Sequence, residues 1–166
     1  MIKKLILVLA AAIVLPVAAN AQKFGVVNAD EIISGLPEFT KMQEQIAEAS
    51  KRYEDEFKKL QEEMDKKYTE FQALASDTPD SIKERRLAEL QELDQKMQQF
   101  RNTAQQDLQR QQQTLMAPIE QKLIDAIKAV GSEGNYTFIF QEGMAVFSGK
   151  DVVNVTNEVK AKLGVK

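Results

Sequence analysis

The chain of 166 residues contains no cysteine and no histidine. Without cysteine it can form neither a disulfide nor a thiolate metal site, and it has no thiol nucleophile. Without histidine it lacks the commonest general base near neutral pH and the commonest nitrogen ligand of transition metals. It also has no Gly-rich phosphate loop and no GxSxG motif. The sequence therefore predicts a protein that is not an enzyme and that uses no cofactor or metal.

Residues 1–21 have the features of a secretory signal peptide. Two lysines precede an apolar run over residues 5–15, and the tripeptide Ala-Asn-Ala at 19–21 fits a small-x-small cleavage site. The apolar run is shorter than the roughly 20 residues that span a bilayer as a helix. We therefore expect the protein to be exported and cleaved after about Ala21.

The charge of the exported chain excludes a further class of partner. The full chain has a net charge of −3, and loss of the two N-terminal lysines leaves 20 basic against 25 acidic side chains, a net charge of −5. Proteins that bind nucleic acid normally carry an excess of Lys and Arg, which neutralise phosphates. We therefore expect no nucleic-acid partner.

Two long amphipathic helices are predicted in the middle of the chain. Apolar side chains recur every three or four residues from Phe39 to Phe71, and again from residue 82 to beyond residue 115. The turn-forming sequence SDTPDS at 76–81 separates the two series. Two such helices joined by a short turn are expected to pack antiparallel through their apolar stripes. Residues 38–117 therefore predict a helical-hairpin arm, a form of coiled coil, with its tip near 76–81.

The segments on either side of the arm, residues 22–37 and 118–166, predict a small β-rich base. Three short β-prone sequences occur in these segments, at 24–28, 136–141 and 144–147. Glu and Gly at 142 and 143 predict a tight turn that joins the last two strands into a hairpin. The predicted fold class is thus α+β, predominantly α, with a long arm on a small β-rich oligomerisation base.

Helix caps are predicted at both ends of the base. Asp30 is expected to cap one helical turn over residues 31–34, and Asn154 to cap a last helix from about Val155 to Leu163.

The apolar strands would leave exposed sheet edges in a monomer, which oligomerisation would cover. The predicted oligomerisation residues are Val26, Val27, Phe138, Phe140 and Val146.

Charged side chains cover the arm. Most alternate in sign along the helices, as on a solvated helix face. The compact basic cluster formed by Lys83, Arg85 and Arg86 near the tip has two interpretations. Its members can pair with nearby acidic residues, or they can contact phosphates of anionic lipid or lipopolysaccharide at a membrane surface.

Several segments together resemble a known family. The N-terminal strand reads FGVVNAD, the entry to the first long helix reads GLPEF, and the C-terminal part reads YTFIFQEGMAVFSGKDVVNVTNEVKAKL. With the signal peptide and the two long helices, these segments resemble the Skp (OmpH) family of periplasmic chaperones, and GLPEF is similar to members from the Bacteroidetes branch. The resemblance covers essentially the whole mature chain.

The resemblance implies a homotrimer with a trimerisation base built from all three chains. The three arms of such a trimer enclose a cavity, which holds unfolded outer-membrane proteins and prevents their aggregation without ATP. The best-known members are strongly basic, and the mature chain departs from them with its net charge of −5.

The stretch from Met97 to Leu115 contains eight glutamines, yet its apolar residues continue the stripe, so it is predicted to be helical. Glutamine is polar and uncharged and both donates and accepts hydrogen bonds. We therefore expect parts of the arm surface either to hold clients loosely or to be merely solvated. The candidate client contacts are Tyr68, Phe71, Leu87, Gln105, Gln109 and Gln112.

A different function class also fits the long arm. The protein could be a non-enzymatic envelope spacer or adaptor of coiled-coil type that binds one folded partner. Such a protein would bind a single native protein saturably and would ignore unfolded barrels, so the two hypotheses are distinguished by their ligands.

Overall fold

A computed structural model describes residues 22–165. The predicted signal peptide lies outside these residues. Four helices and three strands make up the described chain, and the predicted fold class, predominantly helical with a small sheet, is confirmed. In chain order they are β1 (Phe24–Val27), α1 (Ala29–Ser34), α2 (Pro37–Gln72), α3 (Asp80–Glu133), β2 (Phe138–Gln141), β3 (Val153–Asn154) and α4 (Thr156–Leu163).

Helices α2 and α3 form the arm. Their 36 and 54 residues correspond to about 54 and 81 Å at 1.5 Å per residue. Tyr53 of α2 contacts Asp107 of α3, and Lys67, further along α2, contacts Glu89, which comes earlier in α3. The two helices are therefore antiparallel, as predicted.

The predicted apolar stripes form the seam between the two helices. On α2 the stripe residues from Phe39 to Phe71 are buried or half-buried, apart from Tyr68, which is 53% exposed. On α3 the apolar stripe residues are buried or half-buried from Leu90 onward, and Ile82 near the tip is exposed. The glutamine-rich stretch lies inside α3, so its helical prediction is confirmed.

The base contains a three-stranded, all-parallel sheet in the order β2-β1-β3. Phe24 of β1 aligns with Phe138 of β2, and Val26 aligns with Phe140 on one side and with Asn154 on the other. Parallel neighbours need a long connection, and the whole arm supplies it between β1 and β2. Because α3 returns to the start of β1, where Thr137 N donates to Lys23 O at 2.8 Å, β2 runs in the same direction as β1.

The predicted hairpin over residues 136–147 is wrong. Residues 144–147 form no strand and are exposed, although their sequence is β-prone. The second strand of such a hairpin would pair with the outer edge of β2, but within the described residues β2 pairs only with β1. Met144 N donates to Gln141 O at 3.2 Å and Gly143, the third residue of this turn, has a φ of 83°, which is the pattern of a type II turn. Type II turns splay the strands on either side of a two-residue hairpin loop, so residues 144–147 do not return along β2. The third strand is the pair Val153 and Asn154, on the other side of β1.

Two of the helix starts differ from the predictions. Helix α1 begins at Ala29, one residue before Asp30, because Asn28 is its cap and accepts a hydrogen bond from Glu31 N at 2.9 Å. Helix α4 begins at Thr156, and its N-cap is Val155, not the predicted Asn154; Asn154 Oδ1 nevertheless accepts a hydrogen bond from Thr156 N at 2.9 Å.

The main core lies where α1, α4 and the last turns of α3 cover one face of the sheet. Ile32, Val155 and Val159 have no exposed surface. A second cluster of Leu36, Met42 and Ile119 continues this core into the root of the arm. The arm therefore starts from a well-packed base.

Candidate functional site: the open sheet face and the arm

One face of the sheet is left open. Gly25 and Val27 of β1 are buried against the helices, whereas Phe24 and Val26 alternate with them on the other face. Next to them on β2, Phe138 is 57% exposed and Phe140 is 41% exposed. We call the face formed by Phe24, Val26, Phe138 and Phe140 the open sheet face.

Aromatic rings are ordered on the open sheet face. The rings of Phe24 and Phe138 stack with centroids 6.3 Å apart, and those of Phe138 and Phe140 with centroids 5.8 Å apart. Parallel sheets are normally covered on both faces. An uncovered apolar patch of this kind marks an interaction surface.

The loop that follows β2 adds more exposed apolar side chains. Met144 is 71% exposed, Phe147 is 84% exposed and Val146 makes essentially no contact with the rest of residues 22–165. Long apolar side chains without contacts in their own chain are costly in water. This loop therefore belongs with the open sheet face as surface that the single chain does not cover.

The predicted oligomerisation residues separate into two groups. Val26, Phe138 and Phe140 lie together on the open sheet face, and Val146 lies in the exposed loop. Val27 points the other way, into the core, and is 3% exposed. Sequence reasoning missed Phe24, although its position two residues before Val26 places it on the same face of a strand.

Three side-chain hydrogen bonds cross the seam of the arm. Glu38 forms an ion pair with Lys122 at the root, Tyr53 Oη donates to Asp107 Oδ2 at 2.7 Å in the middle, and Lys67 Nζ donates to Glu89 Oε2 at 3.2 Å towards the tip. We call these the root, middle and tip contacts.

These contacts shift the pKa of Glu38, Glu89 and Tyr53. The hydrogen bond from Lys122 lowers the pKa of Glu38 below its ordinary value. Hydrogen bonds from Lys67 and then Arg86 lower the pKa of Glu89, because they favour its charged form. The hydrogen bond that Tyr53 donates to Asp107 raises the pKa of Tyr53.

The basic cluster near the tip is paired with acidic side chains. Lys83 lies 3.8 Å from Asp80, and Arg85 and Arg86 lie 3.9 and 3.0 Å from the carboxylate oxygens of Glu89. The structure thus places all three cations next to carboxylates of their own helix.

The candidate client contacts lie in two places on the arm. Tyr68 and Leu87 are exposed near the tip, with Phe71 half-buried beside them in sequence. Gln105, Gln109 and Gln112 are exposed further down α3. Their spacing of four and three residues puts these glutamines on one side of that helix.

A small groove opens at the root of the arm. It encloses about 360 Å³ between Leu36 and Met42 on one side and Leu115, Pro118 and Ile119 on the other. In the part of the chain that the structure describes, no group of three acidic, His or Cys residues could hold a metal, and no helix is long and apolar enough to cross a membrane.

Comparison with known protein families shows which of them this chain is related to. The family described as "Outer membrane protein (OmpH-like)" matches residues 23–163, which include the base and the whole arm. The chain belongs to the OmpH-like family. None of the curated proteins matches it.

Membership of the OmpH-like family also bears on function. At the level of the family it supports a periplasmic, chaperone-type function in the handling of outer-membrane proteins, and not an enzymatic one. The open sheet face and the two-helix arm are the features of this chain through which such a function has to be explained.

Proposed function

We propose that the mature protein is an ATP-independent periplasmic holdase that forms a homotrimer. In this assembly the arms enclose a cavity in which unfolded outer-membrane proteins are kept from aggregating. The observation that carries the proposal is the open sheet face at the foot of a long arm. A chain that exposes stacked aromatic rings on a parallel sheet needs a partner there, and further copies of the chain supply the same surface.

The proposed trimer buries the open sheet face and the exposed loop after β2. Phe138, Phe140, Val26 and Val146 would lie between protomers, together with Phe24. Burial of each large apolar side chain contributes on the order of 1.5–3 kcal/mol before entropic costs are subtracted. Several such side chains per protomer are enough to stabilise assembly, while the arms stay free to surround a client.

The arm surface supports loose, distributed binding. Its apolar seam is narrow, and Tyr68 and Leu87 near the tip are exposed singly rather than as a deep pocket. Many weak contacts within one cavity add up to firm retention without a strong individual contact. We infer that the tip residues and Gln105, Gln109 and Gln112 meet the client in this way.

The basic cluster contributes less to the proposal. Lys83, Arg85 and Arg86 would have to exchange Asp80 and Glu89 for lipid or lipopolysaccharide phosphates. Contact with an anionic membrane is therefore a weak, secondary interaction.

The first test measures assembly and activity together. Native mass spectrometry of the mature protein should give a trimer, and the trimer should suppress aggregation of a urea-diluted outer-membrane β-barrel at about one trimer per client. Phe138→Asp should yield monomers without this activity, because it would place a charge on each buried face. Ile82→Asp, an exposed apolar position at the far end of the arm, is the control and should remain trimeric.

Two results would contradict the proposal. An intact trimer that leaves aggregation unchanged excludes a holdase. Saturable binding of one folded envelope protein, together with indifference to unfolded barrels, would instead support the adaptor hypothesis.

The second test concerns the glutamines. Changing Gln105, Gln109 and Gln112 to Glu should keep the helix, because Glu is also a good helix former, but should weaken client binding. The matched control changes three other glutamines to Glu. They are exposed on the side of α3 opposite the seam: Gln99, Gln106 and Gln113. Equal client affinity of both triple variants and the wild type would show that the glutamines are only solvated surface.

A further inference from the structure

The tip of the arm is held together differently from its lower part. Below Lys67 the seam contains the buried side chains of Leu60 and Leu93. Beyond Lys67 the apolar side chains are exposed or only half-buried, and they are Tyr68, Phe71, Leu74, Ile82 and Leu87. The free energy gained by apolar contact is roughly proportional to the area removed from water. These residues therefore contribute little to holding the two helices together.

Polar contacts across the arm recur at long intervals. Within residues 22–165 the side-chain hydrogen bonds between α2 and α3 are the root, middle and tip contacts. Neighbouring contacts are separated by about four helical turns, or roughly 22 Å along the helix. The tip contact is the outermost, so each helix continues past it to the connecting loop without another such bond.

The tip contact depends on one carboxylate. Glu89 Oε2 accepts from Lys67 Nζ on α2 at 3.2 Å and from Arg86 Nη1 on its own helix at 3.0 Å. Arg85 Nε lies 3.9 Å from the other carboxylate oxygen. Lys67, Arg85 and Arg86 are the charged groups that surround Glu89, and Lys67 alone comes from the opposite helix.

We propose that the Glu89 carboxylate keeps the tip of the arm closed, and that the outer turns of α2 and α3 separate when it is neutralised. Separation uncovers seam side chains that are half-buried in the closed arm, such as Met64, Phe71 and Leu90. If the proposed chaperone function holds, this enlarges the apolar surface that clients meet at the mouth of the cavity. The closing role of Glu89 itself does not rest on that function.

The sign of the pH dependence follows from the partners of Glu89. Its pKa is lowered, first by the hydrogen bond from Lys67, so the charged carboxylate is favoured in the closed arm. The closing contribution is therefore complete at neutral pH and is lost as the pH falls through this lowered pKa. Acid should open the tip before it affects the apolar core of the base.

Amide hydrogen exchange of the mature protein tests the proposal, with Glu89→Gln as the variant. Its amides between about Met64 and Leu93 should exchange roughly three-fold faster than those of the wild type at pH 7, the size expected for a partly exposed ion-pair network. Amides of α4 in the base should be unchanged. Glu92→Gln, an equal change of charge at an exposed site three residues further on, should behave like the wild type.

A second variant separates the contact from a general loss of charge. Lys67→Gln should accelerate the exchange of the same amides. The double variant of Lys67→Gln and Glu89→Gln should exchange no faster than either single variant, because both substitutions remove the same contact. Lys66→Gln is the neighbouring exposed control.

Lowering the pH supplies an independent comparison. The ratio of exchange rates between Glu89→Gln and the wild type should be about three at pH 7 and should approach one as the pH falls through the lowered pKa of Glu89, because the wild-type carboxylate then becomes neutral. If the amides of α4 show that the base itself unfolds in acid, the Lys67→Gln comparison at pH 7 decides the question.

Two outcomes would overturn the proposal. One is equal exchange of Glu89→Gln and Glu92→Gln; the other is an acceleration spread evenly from root to tip. Exchange in the arm requires neither client nor activity, so failure of the chaperone function would leave this result standing.

Discussion

The base and the arm differ in which of their apolar side chains are buried. In the base, Ile32, Val155 and Val159 are fully buried, yet the adjoining sheet leaves aromatic rings uncovered on its other face. In the arm no large apolar face is left over, but the most buried seam residues, such as Leu60 and Leu93, still keep a few per cent of their surface exposed. The base thus combines fully buried side chains with an uncovered aromatic face, whereas α2 and α3 have neither such a face nor a fully buried large side chain where they pack on each other.

The largest expected effect compares truncations in the two cores. Ile32→Ala should cost about 2–5 kcal/mol of unfolding free energy, because it opens a cavity that the base cannot close. Leu93→Ala should cost about 2 kcal/mol, the low end of that range, because the two-helix seam can collapse onto the gap. Urea unfolding followed by circular dichroism measures both, and equal costs would remove the contrast between base and arm.

A second effect concerns the entry to β2. A Cβ atom at Gly134 would lie 2.4 Å from Tyr136 Cε2, so Gly134→Ala must displace the ring that Lys23 Nζ approaches to 4.0 Å from its centroid. We expect a loss of about 1–3 kcal/mol in urea unfolding. Gly149→Ala is the control, because no atom outside its chain neighbours lies within 4 Å of its Cβ position. Equal stability of the two variants would contradict this account of Tyr136.

A third effect concerns a polar side chain in the seam of the arm, which can be replaced by an apolar one. Gln111 lies half-buried in the seam and shares a groove of about 370 Å³ with Ala49, Tyr53 and Phe100. Gln111→Leu should stabilise the protein by about 1 kcal/mol and slow amide exchange in the middle of the arm, because apolar surface replaces an amide there. Gln112→Leu places the same side chain on the exposed side of α3 and should bring no such gain.

The smallest expected effect concerns acid sensitivity at the root of the arm. The pKa of Glu38 is lowered by its hydrogen bond from Lys122, so its stabilising contribution is present above the ordinary pKa of Glu and disappears as the pH falls through the lowered value. Glu38→Gln should therefore lower the unfolding temperature slightly at pH 7 and lose less on acidification than the wild type.

Thermal unfolding at pH 7 and pH 3.5 measures this difference. Glu44→Gln, at an exposed site on the same helix, is the matched control. A Glu38 variant that loses as much stability in acid as the control would refute the assignment.

The arm could be predicted from sequence because its information is local. A repeat of three to four residues between Phe39 and Phe71 specifies both the helix and its buried side, whatever the rest of the chain does. The glutamines near Gln105 did not disturb this, since glutamine is a good helix former.

The base could be predicted only in part, because a strand depends on its neighbours. Residues 144–147 have the composition of a strand, but the turn between Gln141 and Met144 does not bring them back along the outer edge of β2. The short pair Val153 and Asn154 instead pairs with β1. The tip contact was missed for a related reason. Nothing local to Lys67 or Glu89 tells that they meet, because their pairing depends on the register of the two helices.

The open sheet face was partly predicted. Val26, Phe138 and Phe140 were selected as β-prone apolar residues, but Val27 was selected with them because composition does not reveal which face of a strand each residue occupies. Alternation along β1 supplies that information once one buried residue of the strand is known.

The position of β1 in the sheet has a consequence for the order of folding. β1 is the first strand of the described residues and the central strand of the sheet, and both of its neighbours come after the arm. Lys23 and Gly134, joined by a hydrogen bond of 3.1 Å, are 111 residues apart in sequence. Closing such a separation is slow, whereas α2 and α3 meet through a short loop and can pair early. β1 therefore stays without neighbours until the C-terminal segment arrives, and the sheet is expected to form last.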